Sequence, residues 1–125
     1  MRYMLLIYTK ENDGFGPQLA EGEALKHGHW AIMEETRRRG ILQSAEPLAS
    51  ASTATTIRDR EGKAVITDGP FAETKEQLGG YYILDCQNLD EAIAWATRIR
   101  AGCRDTEAVE IRPLPGLPRY DGATT

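Results

Sequence analysis

The sequence predicts an α+β fold: a four-stranded antiparallel sheet with two helices on one face and a β-hairpin inserted midway along the chain. Three observations point to it. The 125 residues allow one domain, with a single core that buries about two-thirds of the unfolded surface. A hydrophobic fraction of 41% with 27% charged residues is ordinary for a soluble globular protein and argues against wholesale disorder. Segments of strand and helix character follow one another as β-α-β-(hairpin)-β-α-β, and a split β-α-β arrangement is the simplest way to connect them.

Residues 2–9 read as the first strand, rich in Tyr, Met, Leu and Ile, and end before a loop at residues 10–17. Residues 19–39 carry a helical pattern in which Leu25, His29, Ile32, Met33 and Thr36 fall within one stripe of about 100°. Arg37, Arg38 and Arg39 set positive charge against the negative end of the helix dipole, and Gly40 is placed to take the left-handed conformation that stops the helix. The start is weaker. Gly22 and Gly28 each cost about 1 kcal/mol relative to Ala, so fraying or a break is expected before Leu25.

Residues 41–46 form a second strand that Pro47 ends. The β-branched stretch 53–59 then pairs with 63–67 across Arg60-Glu61-Gly62 as a hairpin. A polar loop runs from Asp68 to Gly80, where Gly79-Gly80 permits a bulge or a close backbone approach, and a strand follows at 81–86. Asn88 and Glu91 have N-cap to N3 spacing and open a helix whose apolar stripe is Leu89, Ala92, Ile93, Ala96 and Ile99, with Gly102 as its end. Residues 108–112 are the last strand. The domain is therefore expected to span residues 1–114, with residues 115–125 as a C-terminal tail.

Antiparallel sheets with one wet face alternate cleanly between apolar and polar residues. The first strand does not. Tyr3, Leu5 and Ile7 point one way and Met4, Leu6 and Tyr8 the other, while Tyr81 and Ile83 oppose Tyr82 and Leu84. Two helices cover one face only, so a homodimer with two sheets packed face to face is expected, against the alternative of a monomer whose exposed sheet binds a ligand or its own tail.

Several function classes are disfavoured. A net charge of −4 argues against nucleic acid as a partner, because phosphate neutralisation needs clustered Lys and Arg. No apolar run approaches the ~20 residues that span a bilayer, so no membrane partner is expected. The opening residues have too short an apolar stretch for a signal peptide, which makes the cytoplasm the expected compartment. Cys86 and Cys103 lie far apart and outside any C-x-x-C pattern, so neither a disulfide nor a zinc site is supported, and inert packing is the expectation for both. The signatures of dinucleotide-binding, P-loop, zinc-protease and serine-hydrolase families are absent. No cofactor and no metal are implied.

His29 is the most suggestive single residue for chemistry. It lies in the apolar stripe of the first helix, where an unpartnered polar group costs about 1–3 kcal/mol, and an imidazole is suited to proton transfer near neutrality. The competing reading is a core histidine hydrogen-bonded to a neighbour. His27 lies roughly 160° around the helix from His29, which does not make a metal pair. In the polar loop, Asp68 can accept backbone hydrogen bonds or hold a histidine in one tautomer, and Glu73 and Lys75 belong either to a site or to a solvated loop. Arg58 or Lys75 could neutralise an anionic substrate. Arg58, Glu73, Lys75 and the aromatic Tyr82 are thus the candidate substrate contacts, with His29 and Asp68 the candidate catalytic pair. Trp30 and Trp95 read as packing or interface residues.

The stretch at 65–82, VITDGPFAETKEQLGGYY, resembles the signature of the YCII-related, DGPF-domain family. The likeness continues in MRYMLLIYT, EETRRRGIL, TATTIRDREGK, LDEAIAWATRI and EIRPL, and covers about residues 1–114. It implies a ferredoxin-like domain that pairs into a dimeric α+β barrel. It also implies a His–Asp pair in a cleft, as in the YciI-like branch, with His29 matched by its position before Gly40 and Asp68 as the acidic counterpart. One relative in a degradation pathway eliminates HCl from a chlorinated hydroxyquinone, and others are linked to extracytoplasmic-function sigma factors. DGPF-type members often carry an aromatic residue where His29 stands.

Two readings follow. One is a cofactor-free acid–base enzyme, a lyase or isomerase acting on a small cyclic or aromatic metabolite. The other is a non-catalytic dimeric binding or regulatory module, in which the same polar residues clamp the loop against the sheet.

Overall fold

The computed structural model describes residues 1–10, 19–72, 74–103 and 106–117. Along them run β1 (Arg2–Lys10), α1 (Leu19–Arg38), β2 (Leu42–Pro47), β3 (Thr55–Arg60), β4 (Lys63–Asp68), β5 (Glu76–Asp85), α2 (Leu89–Gly102) and β6 (Thr106–Leu114). The main sheet has the order β2-β5-β1-β6 with every neighbouring pair antiparallel, and β3 and β4 form a two-stranded sheet of their own. This is the expected α+β architecture, a split β-α-β sheet with the hairpin inserted between β2 and β5. The expected loop at 10–17 falls, after Lys10, outside the described residues, as does the tail beyond residue 117.

The register sorts the two sheet faces. Tyr3, Leu5 and Ile7 of β1 stand opposite Leu84, Tyr82 and Gly80 of β5, and these side chains are buried against the helices. Leu5, Ile7, Leu84 and Ile99 are the largest fully buried aliphatic residues and mark the centre of the core. The opposite face carries Met4, Leu6, Tyr8, Tyr81 and Ile83, all half-buried.

α1 runs unbroken from Leu19, against the expected break. Gly28 supplies the reason: a Cβ there would stand 2.6 Å from the Gly102 carbonyl oxygen, so this glycine lets α1 settle against the C-terminal end of α2. The helix-propensity cost of Gly28 is offset by that packing. Gly40, at φ +71°, ends the helix as expected.

β5 and β6 are longer than their apolar runs suggested, because β1 pairs along almost its whole length with both. The polar residues Glu76 and Gln77 are strand residues since their backbone groups pair with Lys10 and Thr9. Gly79 is the extra residue of a bulge, with Ile7 opposite Gly80 and Tyr8 opposite Leu78, and a Cβ on it would meet Thr9 Cγ2 at 2.8 Å.

α2 starts as its sequence indicates, with Asn88 Oδ1 accepting from the Glu91 N–H at 2.9 Å and Glu91 Oε2 accepting from the Gln87 N–H at 3.0 Å. Its buried face is rotated from the expected stripe: Ala92, Trp95, Ala96 and Ile99 are buried, while Leu89 and Ile93 are 49% and 44% exposed. Trp95 joins the core instead, burying its large apolar ring, with the Arg39 and Arg98 guanidinium groups 5.4 and 4.7 Å from the ring centroid. Among the described residues, no helix is long and apolar enough to cross a membrane.

Candidate functional site

In α1 the buried stripe is His29, Ile32 and Thr36, with Met33 at its edge, as the helical period indicated. Beneath it, Tyr82 of β5 lies opposite Leu5 of β1 on one side and Ala45 of β2 on the other. These two layers bring His29 Nδ1 to 2.5 Å from the Tyr82 phenol oxygen, with ring centroids 5.7 Å apart. His29 is 6% exposed and Tyr82 3%. A buried imidazole that would otherwise lose its hydration is partnered here by a phenol.

The pair lines a cavity of about 170 Å³ between α1 and the β2 edge of the sheet. Ile7 and Tyr82 form its floor, and His29 and Met33 its helical wall. Ala45 and Tyr81 lie along the β2 side, and the exposed Trp30, Glu46 and Pro47 make the rim. A cavity of this size and largely apolar lining is comparable to ones of about 150 Å³ that accept a benzene ring.

Burial sets the charge state. Desolvation lowers the His29 pKa from 6.5 to about 4, so the imidazole is neutral at physiological pH. Desolvation also raises Tyr82 well above the usual phenol range, with the nearby Cys103 thiol adding to it, so the phenol keeps its proton. Cys86 and Cys103 are themselves pushed up to about 11 by burial and are protonated thiols. The site therefore starts with a neutral donor–acceptor pair in an apolar wall.

A family model for the YCII-related domain matches residues 1–115 of this chain. The chain belongs to the YCII-related family. An uncharacterized protein of Rhizobium meliloti (strain 1021) is 35% identical over 114 residues, covering 91% of this chain and 92% of the relative. A solved 5-chloro-2-hydroxyhydroquinone dehydrochlorinase from Burkholderia phenoliruptrix AC1100, in complex with 2,5-dihydroxybenzoquinone, is similar at a TM-score of 0.47. The two share 15% identity over 91% of this chain and 93% of the dehydrochlorinase.

In this YCII-related protein the sequence candidates fall into three places. His29 and Tyr82 come together in the cavity. Asp68 is exposed at the end of β4, opposite Thr55, and is not among the residues lining the cavity. Arg58, on the neighbouring strand, donates from Nη2 to the Phe71 carbonyl at 3.1 Å and lies 4.7 Å from the Phe71 ring centroid. Lys75 borders a separate groove with Tyr8 and Glu110, where the Tyr8 hydroxyl donates to Glu110 Oε1 at 2.9 Å. Glu73 lies outside the described residues.

Trp30 and Glu46 are site residues that the sequence reading missed. Trp30 follows His29 directly and, at 57% exposed, stands at the rim rather than in packing. Glu46 borders the cavity through the pairing of β2 with β5, where it stands opposite Tyr81, and carried no local signal.

Proposed function

We propose that this YCII-related protein is a cytoplasmic, cofactor-free acid–base enzyme of lyase or isomerase type, acting on a small cyclic metabolite in the His29–Tyr82 cavity. The single observation that carries the reading is the 2.5 Å hydrogen bond between two buried, neutral groups at the wall of an apolar cavity. In this reading the Tyr82 hydroxyl donates to His29 Nδ1. A ligand proton moves to the Tyr82 oxygen as the phenol's own proton moves to Nδ1, leaving an imidazolium beside the ligand anion. Reversal at another ligand atom gives isomerisation, and expulsion of a leaving group gives elimination. Asp68, exposed at the end of β4, is not among the residues lining the cavity, and Tyr82 takes the orienting role expected of it.

The test needs no identified product. Small cyclic ketones and hydroxyarenes are incubated with the protein in D₂O, and exchange of ring or α-protons is followed by NMR. Catalysed exchange that falls by about 100-fold or more in His29→Gln supports the reading. Exchange that is undiminished in His29→Gln, or absent for every compound, overturns it.

The protein is also proposed to work as a homodimer. Met4, Leu6, Tyr8, Tyr81 and Ile83 lie on the sheet face away from the helices, and a second copy packed against them would give an isologous interface. Sedimentation at micromolar concentration is expected to give twice the chain mass; a single-copy mass rejects the pairing.

A further inference from the structure

The hairpin between β2 and β5 contributes no residue to the buried core or to the wall of the cavity. β3 and β4 form a sheet of two strands only, in which Thr56 and Val65 are half-buried and the other strand residues are exposed. A two-stranded ribbon standing in water is marginal by itself. Its register sorts two faces. On one, the segment after β4 is tied back: Thr56 Oγ1 donates to the Gly69 carbonyl at 2.7 Å, and Arg58 Nη2 to the Phe71 carbonyl at 3.1 Å. On the other, Ile57 stands directly opposite Ile66, each 68% exposed, with Asp59 on the turn side and Asp68 at the base.

The main sheet offers a counterpart. Across its face away from the helices, one row reads Arg112, Met4, Ile83 and Ser44: an apolar pair between a cation and a hydroxyl. Two hairpins stacked on their isoleucines would set carboxylate against carboxylate, whereas this row sets Arg112 against them. The hairpin leaves the sheet at the end where Pro47 closes β2 and Glu76 opens β5, and the Met4–Ile83 row lies toward the other end. A two-fold axis perpendicular to the strands brings the hairpin end of one copy to the Met4–Ile83 end of another.

Area argues the same way. Four strands about 4.8 Å apart and roughly 25 Å long give the sheet face a footprint of about 450 Å², against the ~800 Å² per partner that a stable pair buries. One face of the six-residue ribbon adds roughly 200 Å².

We propose that the β3–β4 hairpin is a docking arm, and that its Ile57–Ile66 face closes over the Arg112–Met4–Ile83 row of a second copy of this chain. The inference rests on the proposed pairing of the sheet faces and adds to it which element clasps the partner. It requires no catalysis.

Sedimentation over a concentration series tests it, read as the dissociation constant of the pair. Ile57→Ser/Ile66→Ser is expected to weaken pairing by about tenfold or more, and Arg112→Glu by about threefold. Urea unfolding below the dissociation constant should be unchanged in the hairpin variant, because both isoleucines are already exposed in the single chain. Ile66→Ser combined with Met4→Ser should cost less than the two separate losses together, as for side chains that touch. Pairing that survives Ile57→Ser/Ile66→Ser unaltered overturns the arm and leaves the sheet-face pair standing. Additive losses for Ile66→Ser and Met4→Ser overturn it too, by placing the hairpin elsewhere. An unsubstituted chain that never pairs removes both.

Discussion

His29 Nδ1 and the Tyr82 phenol oxygen meet at 2.5 Å although 53 residues separate them in the chain. One group comes from the underside of a helix and the other from the middle of a strand, so the contact exists only when α1 is docked on the sheet. It serves stability as well as chemistry, since each group satisfies a polar atom of the other where both side chains are almost wholly buried.

Tyr82→Phe keeps the ring and removes the hydroxyl. It is expected to destabilise the protein by about 1–2 kcal/mol in urea unfolding, because a buried imidazole nitrogen loses its described partner while packing is retained. Combined with His29→Gln it should be clearly non-additive, as befits two halves of one contact. A fully additive double-mutant cycle would mean that the two side chains do not act together.

The depressed His29 pKa makes stability depend on pH in a stated direction. As pH falls below the ordinary value of 6.5, the unfolded chain binds a proton that the folded protein does not take up until pH is near 4. Stability is thus fully present above that window and declines through it, by about 3 kcal/mol for this group. Unfolding curves at successive pH values should show the decline, and His29→Gln should flatten it. An unchanged slope in His29→Gln assigns the pH dependence to other groups.

Gly28→Ala is expected to destabilise the protein by about 1–3 kcal/mol, although alanine is by far the better helix former. The methyl group would stand 2.6 Å from the Gly102 carbonyl oxygen, and relief requires α1 and α2 to separate. Asn88→Ala, which removes the α2 N-cap, is a useful scale for comparison at about 1 kcal/mol. A rise in melting temperature for Gly28→Ala would show that helix propensity outweighs the approach.

Much of this was legible in the linear order of residues, because the physics there is local. The stripe holding His29, Ile32 and Thr36 depends only on helical period, and the stop at Gly40 and the start at Asn88 depend on backbone groups within one turn. The hairpin turn at Glu61 and Gly62, both at positive φ, is equally local. Polar Glu76 and Gln77 became strand because β1 offered unpaired backbone beside them, which no hydrophobic pattern signals. Trp95, rather than Leu89 and Ile93, lies on the buried face of α2, because that is the face packed into the core formed with the sheet.

The site divides along the same line. The sequence by itself determined that a histidine would be turned toward the sheet, and that the chain would form one α+β domain around two helices. Only the tertiary structure decided that a tyrosine would meet that histidine, that Trp30 and Glu46 would rim the cavity, and that Arg58 would be occupied with Phe71. Periodicity acts over a few residues and fixes which way a side chain faces. Which group waits opposite depends on strand register and on how closely a helix can approach, and Gly28 governs the closeness of α1 to α2.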